Sequence, residues 1–228
     1  MLRSQVNQII RESMEILQSY QFRLPPFAFW GLEEWEKNKP DCSEIFQNQL
    51  GWDITDFGSG KFDQVGLVLF TIRNGHPSNW GKKSAKLYAE KIMIAKENQV
   101  TPMHFHWQKM EDIINRNGGD LAMDVYKSDA AEGLGEEAFV LSIDGRQQQC
   151  SPGDRLYLKP GQSVTFPPYI YHSFWAEEKP VLIGEVSLVN DDHRDNRFLS
   201  EVGRFPEIVE DESPAFLLVS DYAKYLDS

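Results

Sequence analysis

The sequence predicts a mainly β chain, a barrel or sandwich of short strands with a helix at each end. Short runs rich in Val, Ile, Leu, Phe and Tyr recur from Trp52 to Val189, punctuated by Gly, Asn and Pro. Regular turns between many short strands favour such an architecture over alternating βαβ units. The first twenty or so residues instead repeat apolar side chains every three or four positions, the period of an amphipathic helix. The 228-residue length lies within the range of one large domain.

Taken in order, Val6, Ile9, Ile10, Met14, Leu17 and Tyr20 line one face of the first helix, which Pro25-Pro26 is expected to end. Phe27, Phe29, Trp30 and Trp35 follow. They read as packing that covers a barrel surface, with Leu32 to Lys37 adding a turn or two of helix. Val65 to Ile72 is a strand, Arg73-Asn74-Gly75-His76 a hairpin-type turn, and Leu87 to Ala95 the next strand, leading through Asn98 into residues 101–106. Leu121 to Tyr126, Phe139 to Ile143, Arg155 to Leu158, Ser163 to Phe166, Tyr171 to Trp175 and Val181 to Val189 continue the series, and Asp144-Gly145 turns one pair. Pro214 to Leu226, with Phe216, Leu217, Val219, Tyr222, Ala223 and Leu226, reads as a closing helix. No repeat or linker interrupts the chain. The expectation is therefore a single domain over 1–228: a helical and aromatic extension (1–50), a β-barrel (51–200) and a C-terminal segment with its helix (201–228).

A net charge of −12 lacks the basic footprint of a nucleic-acid partner, and it disfavours a highly phosphorylated substrate. No segment has the length and apolarity of a membrane span or a signal peptide. The two cysteines, Cys42 and Cys150, give no disulfide framework. Free thiols fit a reducing cytoplasm, the expected location.

The run Met103-His104-Phe105-His106-Trp107-Gln108-Lys109-Met110-Glu111 carries the chemistry. Two histidines separated by one residue project from the same face of a strand, so both imidazoles can converge on one ion. Glu111, five residues after His106, can return to the same point through a turn. The bland alternative is a pair of hydrogen-bonded histidines on a half-buried strand. A second block, Gly161-x5-Pro167-x4-His172, sets a turn, a short strand, a second turn and one more histidine at the start of another strand.

Together the two blocks resemble the cupin superfamily, in which the first supplies His-x-His and a Glu, closed by a Gly, and the second supplies one His. Gly118 falls at the closing position. Asn98 replaces a customary Gly, and Asn tolerates the left-handed backbone better than most residues. Ala176 replaces a customary Asn at a position that is no ligand. The resemblance implies a jelly-roll barrel with outer helices and a metal held by His104, His106, Glu111 and His172. It extends further: Thr101 to Trp107, Lys109 to Arg116, Gly184-Glu185-Val186-Ser187 with Val189-Asn190-Asp191-Asp192, Asp195-Asn196-Arg197-Phe198 and Gly203-Arg204-Phe205-Pro206 resemble the bacterial D-lyxose isomerase family along the whole chain.

Three imidazoles and a carboxylate form a mixed N/O set suited to first-row divalent ions. Mn2+ is expected first, with Co2+, Fe2+, Ni2+ and Zn2+ as alternatives. Such an ion acts as a Lewis acid on a sugar carbonyl and acidifies the neighbouring C–H, and a base and a proton donor complete aldose–ketose isomerisation through an enediol. Glu185 shares a strand face with Ile183 and Ser187, which would raise its pKa and suit it as the base. Its alternative is an ion-paired or solvent-facing carboxylate. Lys109, between two ligands, is the companion catalytic candidate, the alternative being an exposed loop lysine. Lys91, Asp191 and Arg197 are the expected substrate contacts. His76 and His193 read as surface residues. The leading expectation is an isomerase of free pentoses and hexoses, interconverting D-lyxose and D-xylulose and also D-mannose and D-fructose. The partner is a free monosaccharide, and the assembly is expected to be a homodimer. An Fe(II) cupin dioxygenase and a non-enzymatic sugar-binding cupin are the alternatives.

Overall fold

The computed structural model describes residues 1–79, 82, 84–192 and 194–226. Helix α1 (Arg3–Ser19) buries Val6, Ile9, Ile10 and Leu17, its expected face. It ends before the two prolines: Gln21 turns left-handed at φ 57° and Phe22 N–H bonds the Leu17 carbonyl, closing the last turn. Two short helices follow, α2 (Leu32–Asn38) and α3 (Ser43–Gln47).

Among the described residues eleven strands then build one antiparallel system: β1 (Gly51–Thr55), β2 (Leu67–Arg73), β3 (Tyr88–Ala95), β4 (Thr101–Phe105), β5 (Glu111–Lys127), β6 (Phe139–Ile143), β7 (Arg146–Cys150), β8 (Asp154–Leu158), β9 (Ser163–Phe166), β10 (Ile170–Leu188) and β11 (Arg197–Phe198). Strands β5 and β10 are long and run side by side through two layers. Their Glu111–Asn117 and Val181–Leu188 halves lie in the order β1-β2-β3-β10-β5-β9-β6-β7. The other halves carry β4 and β11 on the β10 side and β8 on the β5 side. The corner between layers is a bulge at Glu177–Val181 on β10, where Glu178 is left-handed (φ 66°). Opposite it Gly118 has φ 115°, and a Cβ there would lie 2.2 Å from the Pro180 carbonyl oxygen. Only glycine fits. Strands that pass from one layer to the other through bulges close an antiparallel sheet into a barrel, the expected architecture.

Inward residues of both layers form the core (Leu69, Met93, Ile113, Met123, Leu141, Phe166, Phe174, Ile183). Outward residues of β1 to β3, among them Trp52, Ile54, Val68, Phe70, Ile92 and Ile94, pack under α1. Asn98 is left-handed (φ 58°), and Asp144 and Gly145 (φ 50° and 75°) turn β6 into β7, both as the sequence suggests.

Two readings need correction. Residues 73–76 are not a tight hairpin; the connection from β2 to β3 runs over 74–87. Asn74 instead ties segments together, donating to the Asn190 carbonyl (3.0 Å) and accepting from Asn190 N–H (3.0 Å). Pro214 to Leu226 is helical only in its second half, where a 3-10 turn (Val219–Asp221) runs into α4 (Tyr222–Tyr225); residues 214–218 are irregular. Leu217, Val219, Tyr222 and Leu226 dock into the cluster around Trp35 and Cys42, while Phe216 and Leu218 pack with the cluster under α1. A buried Arg3 clasps this segment to α1 through Asp221 (2.7 Å) and Glu210 (2.8 Å).

Candidate active site

The site lies inside the barrel, where inward residues of β3, β4, β5 and β10 meet the segment after β10. His104 on β4 and His172 on β10 are register partners, and His106 follows one residue past the end of β4. Glu111 opens β5 opposite Ser187, and Glu185 sits opposite Lys91. His104, His106, His172, Glu111, Glu185 and Lys91 are each at least 90 % buried.

The three imidazoles converge, with ligand atoms within 4.8 Å of one another. Each turns its Nδ1 to a backbone carbonyl: His104 to Pro102 (2.8 Å), His106 to Asp195 (2.5 Å) and His172 to Ile170 (3.1 Å). A carbonyl can only accept, so each Nδ1 carries a proton, and in a neutral ring Nε2 then presents a lone pair. Stacking of His172 on Phe166, at 4.4 Å and 4°, fixes its plane. The Nε2 atoms of His106 and His172 lie 3.3 and 3.1 Å from Glu111 Oε1. Oε1 and His172 Nε2 are buried without a hydrogen-bond partner. Acceptors facing one another in a buried site are costly unless a cation lies among them. The three histidines can hold a metal, and the donor set fits a divalent ion. Burial first, then His172 and His106, hold His104 well below the ordinary histidine pKa, which keeps it neutral as a ligand must be.

Beside this cluster lies a chain of charges. Lys109, 3 % exposed rather than a surface lysine, sits 2.8 Å from Glu111 Oε2 and 2.8 Å from Glu185 Oε1. Burial lowers its pKa, but Glu111 and Glu185 outweigh that and raise it above the ordinary range. Glu185 departs from expectation. Burial pushes it up, yet Lys109 and then Lys91 hold its carboxyl below the usual value, so it is an ionised, ion-paired carboxylate. Lys91 reaches Asn190 Oδ1 (2.5 Å) and lies 3.6 Å from both Glu185 and Asp192. Asp192 also pairs with Arg204. Burial raises its pKa, but Lys91 and then Arg204 outweigh that and hold it well below the ordinary range.

These groups line a cavity walled on its apolar side by Phe57, Leu69, Met93, Phe174, Phe198 and Phe205. The structure brings together seven of the nine residues named from the sequence: His104, His106, Glu111, His172, Lys109, Glu185 and Lys91. Asp191 lies instead in a neighbouring surface pocket with His76 and Arg194. Arg197 points to Glu132 (3.0 Å). Their neighbours Asp192 and Asn196, with Arg204, line the cavity in their place. His76 is exposed as expected, and His193 lies outside the described residues. The sequence signal for Arg204 was its Gly-Arg-Phe-Pro run, whose Gly203 packs against Gly58: a Cβ on either would meet the other's Cα at 2.9 Å.

The D-lyxose isomerase family profile matches residues 1–222. A D-lyxose/D-mannose isomerase from Serratia proteamaculans is 48% identical over 226 residues, 98% of each chain. Its namesake from Escherichia coli O157:H7 is 43% identical over 228 residues, 99% of this chain and 100% of that one. Among solved structures, ligand-free L-ribose isomerase from Cellulomonas parahominis has a TM-score of 0.62 and 14% identity, covering 92% of this chain and 98% of its own. That likeness shows a common fold. None of the described helices is long and apolar enough to cross a membrane. Near-complete sequence matches and a full-length profile place the chain in the D-lyxose isomerase family.

Proposed function

We propose that this chain is a divalent-metal-dependent aldose–ketose isomerase of free sugars, interconverting D-lyxose with D-xylulose and D-mannose with D-fructose. One observation carries the reading: three Nε2 lone pairs and Glu111 Oε1 converge beside an ionised carboxylate, Glu185, that shares Lys109 with Glu111. His104, His106, Glu111 and His172 would hold the ion, a first-row divalent metal for a set without thiolates, with Mn2+ the first proposed. When bound, the ion supplies Lewis acidity toward a sugar carbonyl.

The chain's own residues supply the rest. Glu185 is the candidate base that takes a proton at one carbon of the C1–C2 pair and returns it at the other. Ionisation at neutral pH leaves it ready to accept. Lys109 places a buried positive charge where negative charge develops as the C–H bond breaks. Lys91 orients Glu185 from the opposite strand. Asp192, Asn196 and Arg204 are the proposed hydroxyl contacts, in place of Asp191 and Arg197, whose side chains lie away from the cavity. The phenyl walls exclude water from the reacting carbons. A homodimer is the proposed assembly.

The decisive experiment incubates the purified chain with Mn2+ and a panel of free aldoses and ketoses. D-xylulose from D-lyxose, and D-fructose from D-mannose, is the expected result. Solvent deuterium at C2 of the aldose or C1 of the ketose marks proton transfer. Product without deuterium points to a hydride shift or a fully shielded base. Oxygen consumption without isomerisation would sink the reading in favour of a dioxygenase.

A further inference from the structure

The turn His106-Trp107-Gln108-Lys109 carries a proposed ligand at one end and the cavity lysine at the other, yet it belongs to no regular element. Its backbone groups therefore need partners from elsewhere. One residue accepts two of them and a side-chain N–H besides. The Asp195 carboxylate accepts Gln108 N–H at Oδ1 (2.9 Å) and Lys109 N–H at Oδ2 (2.8 Å). Its backbone carbonyl accepts His106 Nδ1–H (2.5 Å). Asp195 is 7 % exposed, so its charge has been taken from water to make these bonds. Beyond it, β11 pairs with β4, and Glu132 bridges Trp107 Nε1–H (2.8 Å) and Arg197 (3.0 Å). Asp195 thus lies on an anchored segment rather than a free loop.

We propose that Asp195 is a positioning residue for the isomerase: it fixes the His106 imidazole and the Lys109 backbone in one register, so that Nζ bridges Glu111 and Glu185. The idea rests on the isomerase reading. Lys109 makes both 2.8 Å contacts from a backbone that two consecutive N–H bonds to one carboxylate hold in place.

Asp195→Asn tests this with little change of shape. It leaves the backbone carbonyl for His106 but turns an amide N–H toward one of the two backbone donors. In the Mn2+-loaded full chain, kcat on D-lyxose should fall about 10- to 100-fold, the usual cost of losing a partner that orients an active group. KM and bound Mn2+ should stay within about twofold of the parent. The companion variants are Lys109→Met and the double variant. If Asp195 acts through Lys109, the double variant is no more than about threefold slower than Lys109→Met alone. Multiplying losses, a kcat within about twofold of the parent, or metal and kcat falling in proportion would each overturn the proposal. Should Asp195→Asn unfold, the charge-retaining Asp195→Glu is read by the same measurements, and unfolding of both would make the residue a folding element instead. A parent chain without turnover on any sugar would count against the isomerase reading, not against this role.

Discussion

His104 and His172 face each other as register partners across the β4–β10 ladder, with ring centroids 4.3 Å apart. Two strands far apart in sequence are thereby locked by backbone hydrogen bonds. The ladder and the carbonyls that hold each Nδ1 set the placing of the two rings.

Loss of one imidazole should therefore weaken metal binding without collapsing the barrel. His172→Ala and His106→Ala are each expected to lower Mn2+ affinity by more than about tenfold, because even a ligand's hydrogen-bond partner is worth that much. Activity should fall in parallel, and EDTA should abolish it until a divalent ion is restored. Elemental analysis of dialysed protein checks the point, and full occupancy in both variants would remove these residues from the ligand set.

Glu185→Gln preserves shape but not the negative charge that Lys109 and Lys91 hold in place. We expect turnover to drop at least about 100-fold, the lower range of a general base, with metal content unchanged. Ordinary turnover in this variant would move the base to another residue.

At the barrel corner, Gly118→Ala should destabilise more than Gly145→Ala. Both glycines have positive φ, but a Cβ at 118 strikes the Pro180 carbonyl whereas nothing lies within 4 Å of one at 145. Backbone strain alone costs about 1–3 kcal/mol, and the clash adds to it. A melting temperature lowered by roughly 5 °C or more is expected at 118, with a smaller loss at 145. Equal losses would show that the clash relaxes freely.

The Arg3 clasp gives the fold an acid limit. The Arg3 hydrogen bond is the main cause that holds Glu210 at about 2, below its ordinary 4.5, and burial only partly opposes it. A depressed carboxylate stabilises the fold above its unfolded pKa. That contribution is complete above about pH 5 and fades as the pH falls from about 4.5 toward 2. Urea midpoints of the parent and Arg3→Met should therefore converge across this window. A constant gap down to pH 2 would count against the assignment.

Much of this was legible in the sequence. Period-two alternation and Gly or Asn turns gave most strands, and the spacing of His104, His106, Glu111 and His172 gave the cluster. Three features were not legible, each for a physical reason. The corner Glu177-Glu178-Lys179-Pro180 reads as a polar loop, so the single strand β10 looks like two. Residues 189–204 are mostly irregular, and without a period no rule says whether Asp191 or Asp192 faces inward. Burial alone suggested a raised pKa for Glu185, because the two lysines that reverse it come from other segments.

The cavity lining holds three fixed cations, Lys91, Lys109 and Arg204, and three carboxylates, Glu111, Glu185 and Asp192. Each cation already has an acid within ion-pair distance. The −12 of the chain therefore resides elsewhere, and the lining's own charges cancel inside an acidic shell, apart from the ion that the histidines would hold. A dianionic phosphate ester would be repelled on approach and would find each lining cation of the chain already paired with an acid. An uncharged polyol meets neither obstacle. Charge of this kind disfavours phosphorylated sugars relative to free ones, without a contact dedicated to rejecting phosphate.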